Sequence, residues 1–144
     1  MNIRVDSESD ANGGREVSNY RDLIAWQKGV DLVVESYRAA EAFPTSELYG
    51  LTSQLRRAAL SVPANVAEGR GRLHLKEFIY HLGVAQGSLC ELETHVEVAR
   101  RLGYLTLVAS SRLEQRTTEL TRILHGLQNS LRRRVRPSPD ACPR

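Results

Sequence analysis

"SQLRRAALSVPANVAEGRGR", residues 53–72, decides how many helices the chain contains. Its apolar residues Leu55, Ala59, Val62 and Val66 are spaced by four, three and four, and the same face reaches back through Leu51 to Leu48, as on one side of an α-helix. Pro63 interrupts it. Proline lacks a backbone N–H and crowds the carbonyl four residues earlier, here that of Ala59, so it either ends a helix or kinks one. Because the apolar phase is unchanged across Pro63, the stretch reads as one kinked helix, capped by Thr45 or Ser46 and running to about Glu68. Gly69 and Gly71 then read as a turn, short enough to make the next helix an antiparallel neighbour.

That next helix has the clearest pattern in the chain. Phe78, Leu82, Ala85, Leu89, Leu92, Val96 and Ala99 alternate spacings of four and three, which is a packed helical seam. Arg100 and Arg101 suit the negative end of its dipole, and Gly103 suits a left-handed cap. Upstream, Asp22 reads as the cap of a first helix with a face of Leu23, Trp26, Val30, Val33 or Val34, and Tyr37, ending before Phe43–Pro44. Downstream, "YLTLVA" has the composition of a strand but no partner strand elsewhere. A fourth helix follows instead, from a Ser111–Glu114 capping box or a turn earlier near Thr106, with Leu113, Leu120, Leu124, Leu127 and Leu131 on its face. The fold class is therefore all-α: an antiparallel up-down-up-down four-helix bundle spanning residues 19–134. Residues 1–18 read as a mobile N-terminal arm and residues 135–144, with three prolines, as a flexible C-terminal tail.

Of 144 residues, 41% are hydrophobic and 26% charged, the balance of one compact domain. No apolar run reaches membrane-spanning length and the opening residues lack the hydrophobic core of a signal peptide, so the expected location is the cytoplasm, without membrane contact. Cys90 and Cys142 are too few for a disulfide framework or zinc knuckle. The net charge of +3 hides a gradient: five Lys/Arg face nine Asp/Glu in residues 1–50, and nine arginines face three acids in residues 101–144. Eighteen of the twenty cations are arginine, a choice that favours bidentate pairing with phosphate or carboxylate but also follows from genomic base composition.

A second line of residues runs beside the apolar face of helix two: Gln54, Arg57, Ser61, Asn65 and Glu68. Helix three carries His81, Ser88, Glu91 and His95 one position off its own stripe. Between antiparallel helices, Arg56 or Arg57 comes level with Ser88 and Glu91, and an arginine–carboxylate pair satisfies both. Such a pair fixes register more than it stabilises. The alternative is two solvated faces that never meet.

The stretches "YRDLIAWQKGVDLVVESY", "FPTSELYGLTSQLRRAALSVPANVAEGRGR", "EFIYHLGVAQGSLCELETHVEVARRLGYL" and "ILHGLQNSLR" together resemble the bacterial four-helix-bundle family encoded in intervening sequences of 23S ribosomal RNA genes, over about residues 20–132. The resemblance implies a left-handed bundle assembling as a homopentameric ring. It also implies kinship with accessory proteins of diversity-generating retroelement reverse transcriptases, which bind nucleic acid through a basic surface, and it supplies no enzyme activity. The family signature falls on Gln54, Arg56, Arg57, Ser61, Pro63, Asn65, Glu68, Gly69, Gly87, Ser88 and Glu91. The sequence departs from it at Leu73–His74, where a serine or threonine cap is usual, and at Gly29 and Gly83, where alanine or serine is commoner.

Two functions compete. In the first, Arg70, Arg72 and Lys76 around the helix two–three turn, with Arg132, Arg133, Arg134 and Arg136 after helix four, share one end of the bundle and meet RNA or DNA phosphates without reading bases. The same arginines also serve to cap helix carbonyls. In the second, the protein is a homo-oligomeric scaffold for a protein partner, such as a reverse transcriptase, and Gly83 and Gly87 permit close approach of a helix. No enzyme, cofactor or metal is expected. A di-iron bundle needs Glu-x-x-His on two helices, and the residues three before His74, His81, His95 and His125 are Gly71, Phe78, Leu92 and Arg122. Ser88 with His81 or His95 lacks the spacing of an activated serine.

Overall fold

A computed structural model of the chain describes residues 19–135; the expected arm, Arg136 and Cys142 lie outside them. Four helices and no strands make up the described residues: α1 Ile24–Ala40, α2 Leu51–Gly71, α3 Leu75–Arg101 and α4 Leu107–Val135. Each helix packs on its neighbours in sequence and α1 closes the ring on α4. Cross-helix pairs show that neighbours run antiparallel. Gly29 meets Pro63 where Tyr37 meets Arg56, Asn65 meets His81 where Ser61 meets Ser88, and Lys28 meets Glu119 where Glu35 meets Arg112. At 1.5 Å per residue, α1 is about 25 Å long and α4 about 43 Å. Two poles result: an entry pole, where α1 and α3 begin and α2 and α4 end, and a far pole holding the α1–α2 and α3–α4 connections.

α2 continues unbroken through Pro63 for 21 residues. Gly29 of α1 lies against the proline ring; a Cβ there would sit 3.1 Å from Pro63 Cβ. The seven-residue stripe of α3 is buried without exception, and Leu55, Ala59, Val62 and Val66 of α2 close on it. At the far pole α3 ends in a left-handed cap: Gly103 has φ 77, Gly103 N–H donates to Arg100 O and Tyr104 N–H to Ala99 O.

Several boundaries differ from the sequence expectation. Asp22 does not cap α1. It lies in a 3-10 turn, Tyr20–Asp22, whose cap is Asn19, and Leu23 precedes the helix. The inward face of α1 is Ala25, Gly29, Leu32, Ser36 and Ala40, while Trp26, Val30, Val33 and Tyr37 are half-buried flanks and Val34 is exposed. Small residues point inward because α1 approaches α2 closely at Pro63, which displaces the bulky side chains sideways. Thr45–Glu47 forms a separate 3-10 turn, and the α2 amide of Leu51 is capped by the Glu47 carboxylate at 2.9 Å; Leu48 is outside the helix and exposed. Gly69 and Gly71 belong to α2 rather than to a turn. Gly69 is buried, and a Cβ there would lie 2.8 Å from both His81 Cβ and Phe78 Cδ2, so this glycine permits close contact with α3. α4 starts from Thr106, whose Oγ1 accepts from Ala109 N–H; Ser111 is a turn inside the helix. α4 includes Val135.

Candidate nucleic-acid interface

Antiparallel packing brings both predicted cation clusters to the entry pole. Gln128 of α4 donates through Nε2 to Ile79 O of α3 at 3.1 Å, which sets their register. One turn further toward the pole are Lys76 on α3 and Arg132 on α4, followed by Arg133 and Arg134. Arg70 lies in the last turn of α2 and is half-buried, whereas Arg72, Lys76, Arg132, Arg133 and Arg134 are exposed. Arg72 is engaged: it donates to Glu68 Oε1 at 2.7 Å. That hydrogen bond, and next the nearby His81, hold the Glu68 carboxyl below its ordinary range, and the same bond raises the Arg72 guanidinium. Arg70, Lys76, Arg132, Arg133 and Arg134 have no carboxylate within ion-pair distance among the described residues. Arg21 joins them, lying 5.6 Å from the Tyr20 ring centroid and 5.8 Å from that of Trp26. The only sequence sign of this placement is "YRDLIAW", which puts Arg21 between two aromatics.

Helix capping accounts for only part of this charge. The carboxyl end of a helix carries roughly half a negative charge, and Arg132, Arg133 and Arg134 bring three whole cations to the end of α4. α3 begins at the same pole with His74 in the cap position and no side-chain hydrogen bond to its first amides. The departure at Leu73–His74 therefore leaves exposed N–H donors beside the arginines, a local field that favours anions.

The polar line between α2 and α3 is a hydrogen-bonded groove at its centre and solvated at its ends. Ser88 Oγ donates to Ser61 Oγ at 2.8 Å, and Asn65 Nδ2 donates to Ser61 O at 2.8 Å and to Ser61 Oγ at 3.0 Å. Asn65 Oδ1 then accepts from His81 Nδ1 at 3.1 Å. The orientation of the amide makes Nδ1 the protonated nitrogen of that ring. His81 Nε2 is 3.9 Å from Glu68. Gln54, Arg57, Glu68 and Glu91 are exposed.

The expected arginine–Glu91 pair is absent. Glu91 contacts His95 of its own helix at 3.5 Å, and Arg56 turns the other way, with its guanidinium 4.9 Å from the Tyr37 ring centroid on α1. The aromatic face offsets part of the burial of Arg56, whose Nε is buried without a hydrogen-bond partner. Gln128, buried within the leucine stripe of α4, also meets Gln86. A Cβ at Gly83 would lie 3.5 Å from Gln128 Nε2, an ordinary contact distance, and at Gly87 nothing lies within 4 Å. Gly83 thus borders α4 of its own chain without a close approach that requires glycine, and Gly87 is open.

Cys90 is a free, exposed thiol. Among the described residues no group of three or more His, Cys, Asp or Glu is placed to hold a metal ion, and no helix is long and apolar enough to cross a membrane.

Fold and register define an antiparallel four-helix-bundle protein with one pole of arginines in excess over nearby acids. The chain belongs to the 23S rRNA-intervening sequence protein family, whose model matches residues 21–126. A solved structure from Bacteroides thetaiotaomicron, described as a protein with unknown function from the S23 ribosomal protein family, is 20% identical. It superposes with a TM-score of 0.69 over 74% of this chain and 96% of that one, so the two share a fold. No curated protein matches the chain.

Proposed function

We propose that the chain is a non-catalytic, oligomeric protein of the cytoplasm that binds RNA or DNA phosphates at its entry pole without reading base sequence. The observation that carries this reading is the group Arg70, Lys76, Arg132, Arg133 and Arg134, gathered from three helices at one end with no carboxylate partner among the described residues. The uncapped start of α3 supports it. Repetition around a homopentamer, the assembly that the family resemblance implies, multiplies the same contacts. Binding by fluorescence anisotropy of labelled 20-nucleotide RNA and DNA tests the proposal. The expected result is affinity that is similar for unrelated sequences and falls by tenfold or more between about 50 and 200 mM salt, as counterion release requires. No binding at either salt sinks it.

A second reading, a scaffold that recruits a protein such as a reverse transcriptase, is favoured by the far pole. There Leu48, Tyr49, Leu102, Leu107 and Val108 are exposed on the two connections, and Gly87 is open on the side of the bundle. The anisotropy experiment separates the readings, because a pure scaffold leaves the labelled strands free.

A further inference from the structure

One aromatic ring stands open among the cations of the entry pole. Of the eight aromatic side chains in the sequence, two are exposed, Tyr49 at 93% and Tyr80 at 68%. The others are covered: Tyr20 and Trp26 pack on each other, for example, and Tyr104 is held by Phe43 and Glu47. Tyr49 belongs to the far pole. Tyr80 follows Ile79, the residue whose carbonyl Gln128 binds, and so lies one turn from the cation cluster. We infer that Tyr80 is a stacking platform for an unpaired base, so that the entry pole takes single-stranded RNA or DNA in preference to duplex; the inference rests on the phosphate-binding reading of that pole.

Register and side-chain direction bring ring and cations together. Tyr80 is two residues from both Phe78 and Leu82, about 200° around the helix from each, and so points away from the core. Lys76 is on the same face one turn nearer the pole, about 6 Å along the axis, and Arg132, one turn past Gln128, is level with it. Helical side chains lean toward the N-terminus of their helix. At α3 that is the entry pole, so the ring leans toward Lys76, and the exposed Gly83 and Gly87 behind it carry no side chain to cover it. Leu73, 96% exposed at the α2–α3 connection, adds an apolar contact between Arg72 and Lys76. Glu77 lies on the α2 side of this face, where its field acts on Arg72. His81 meets the Tyr80 ring edge to face, with centroids 5.4 Å apart and planes at 77°, which holds the ring in place before a strand arrives and lowers the cost of binding. Phosphate contacts by themselves favour the duplex, whose charge is denser. An open ring reverses the choice, because duplex bases are already stacked on their neighbours and must be unstacked to reach it. Stacking accepts any base, in keeping with binding that reads no sequence.

Fluorescence anisotropy of the full chain with three labelled probes tests the platform: a 20-nucleotide oligo-dT, an abasic strand of the same length and a 20-base-pair DNA duplex. The parent is expected to bind oligo-dT about tenfold more tightly than the abasic strand, which has the same phosphates without bases, and about threefold more tightly than the duplex. Y80L is expected to lose about tenfold on oligo-dT and less than about twofold on the other two probes. Y80F should bind as the parent does, and Y49L should lose nothing. Because stacking releases no counterions, Y80L keeps the parental slope of log binding constant against log salt. An abasic strand or duplex bound as tightly as oligo-dT, a Y80L protein with parental affinity for oligo-dT, or a Y80L loss equal on all three probes overturns the platform and leaves phosphate binding standing. A parent chain that binds none of the three refutes the proposed function and this inference together.

Discussion

The two poles of the bundle differ in how many of their arginines are paired. At the far pole Arg100 and Arg101 both donate to Glu97, and Arg112 and Arg116 converge on Glu35. The connections there are tied together as well: Tyr104 packs at a tilt against Phe43 with ring centroids 5.7 Å apart and donates to Glu47, which caps α2. At the entry pole, Arg72 alone of the cluster has a carboxylate partner among the described residues. Arginine content is thus a poor guide to an anion site. What matters is whether acids on the same or a neighbouring helix have already taken the cations, and at the far pole they have taken Arg100, Arg101, Arg112 and Arg116, though not Arg38.

The contrast is sharpest in binding. Replacing Arg132, Arg133 and Arg134 with glutamine is expected to weaken binding of a 20-nucleotide RNA at 50 mM salt on the order of a hundredfold, and R100Q/R101Q by less than about threefold. Comparable losses from both would dissolve the distinction between the poles.

Packing at the entry end gives the next largest effect. Gly69→Ala pushes a methyl group into Phe78 and His81 and is expected to cost about 1–3 kcal/mol in urea unfolding. Gly87→Ala, with nothing within 4 Å, is expected to add about 0.5–1 kcal/mol by relieving the helical cost of glycine. A Gly87→Ala protein that loses oligomer mass by light scattering would instead assign that face to an interface.

Removing Asn65 tests the groove that joins the poles. Asn65→Ala leaves His81 Nδ1 without its acceptor, Ser61 keeping Ser88, and is expected to cost about 1–2 kcal/mol, a loss read as a lower urea midpoint at unchanged slope. The smallest effect is one of pH. The paired arginines pull the Glu97 carboxyl down to about 2, below its unfolded value. Its contribution to stability is therefore complete above the ordinary carboxylate range and is lost as pH falls toward 2. In R100Q/R101Q the Glu97 titration, followed by NMR, should return toward the ordinary range.

Much of this was legible in the residues. The α3 stripe needed no correction, because seven large or medium apolar side chains at seam spacing admit one buried face. α1 was read one position out of phase: valine and aromatic residues outweigh Ala25, Gly29 and Ser36 on any hydrophobicity count, yet close approach to Pro63 selects the small ones. The Ser111–Glu114 box matched a capping pattern but lost to Thr106, which stands where the chain emerges from the Gly103 turn. The polar line on α2 was readable from its spacing, but the direction of Arg56 was not, because Tyr37 belongs to a helix whose register no local pattern gives. Gln128 carries no signal in the sequence, since Leu127 beside it fits the leucine stripe nearly as well. Both arginine clusters were visible as composition. Their lack of carboxylate neighbours is a property of the packed bundle.

The central claim is that the entry-pole cations are open to phosphate. Its most direct test is the slope of log binding constant against log salt for the parent chain and for R132Q/R133Q/R134Q. Three lost phosphate contacts should flatten the slope by about 2 to 3. An unchanged slope, with the variant folded as the parent is, would contradict the account.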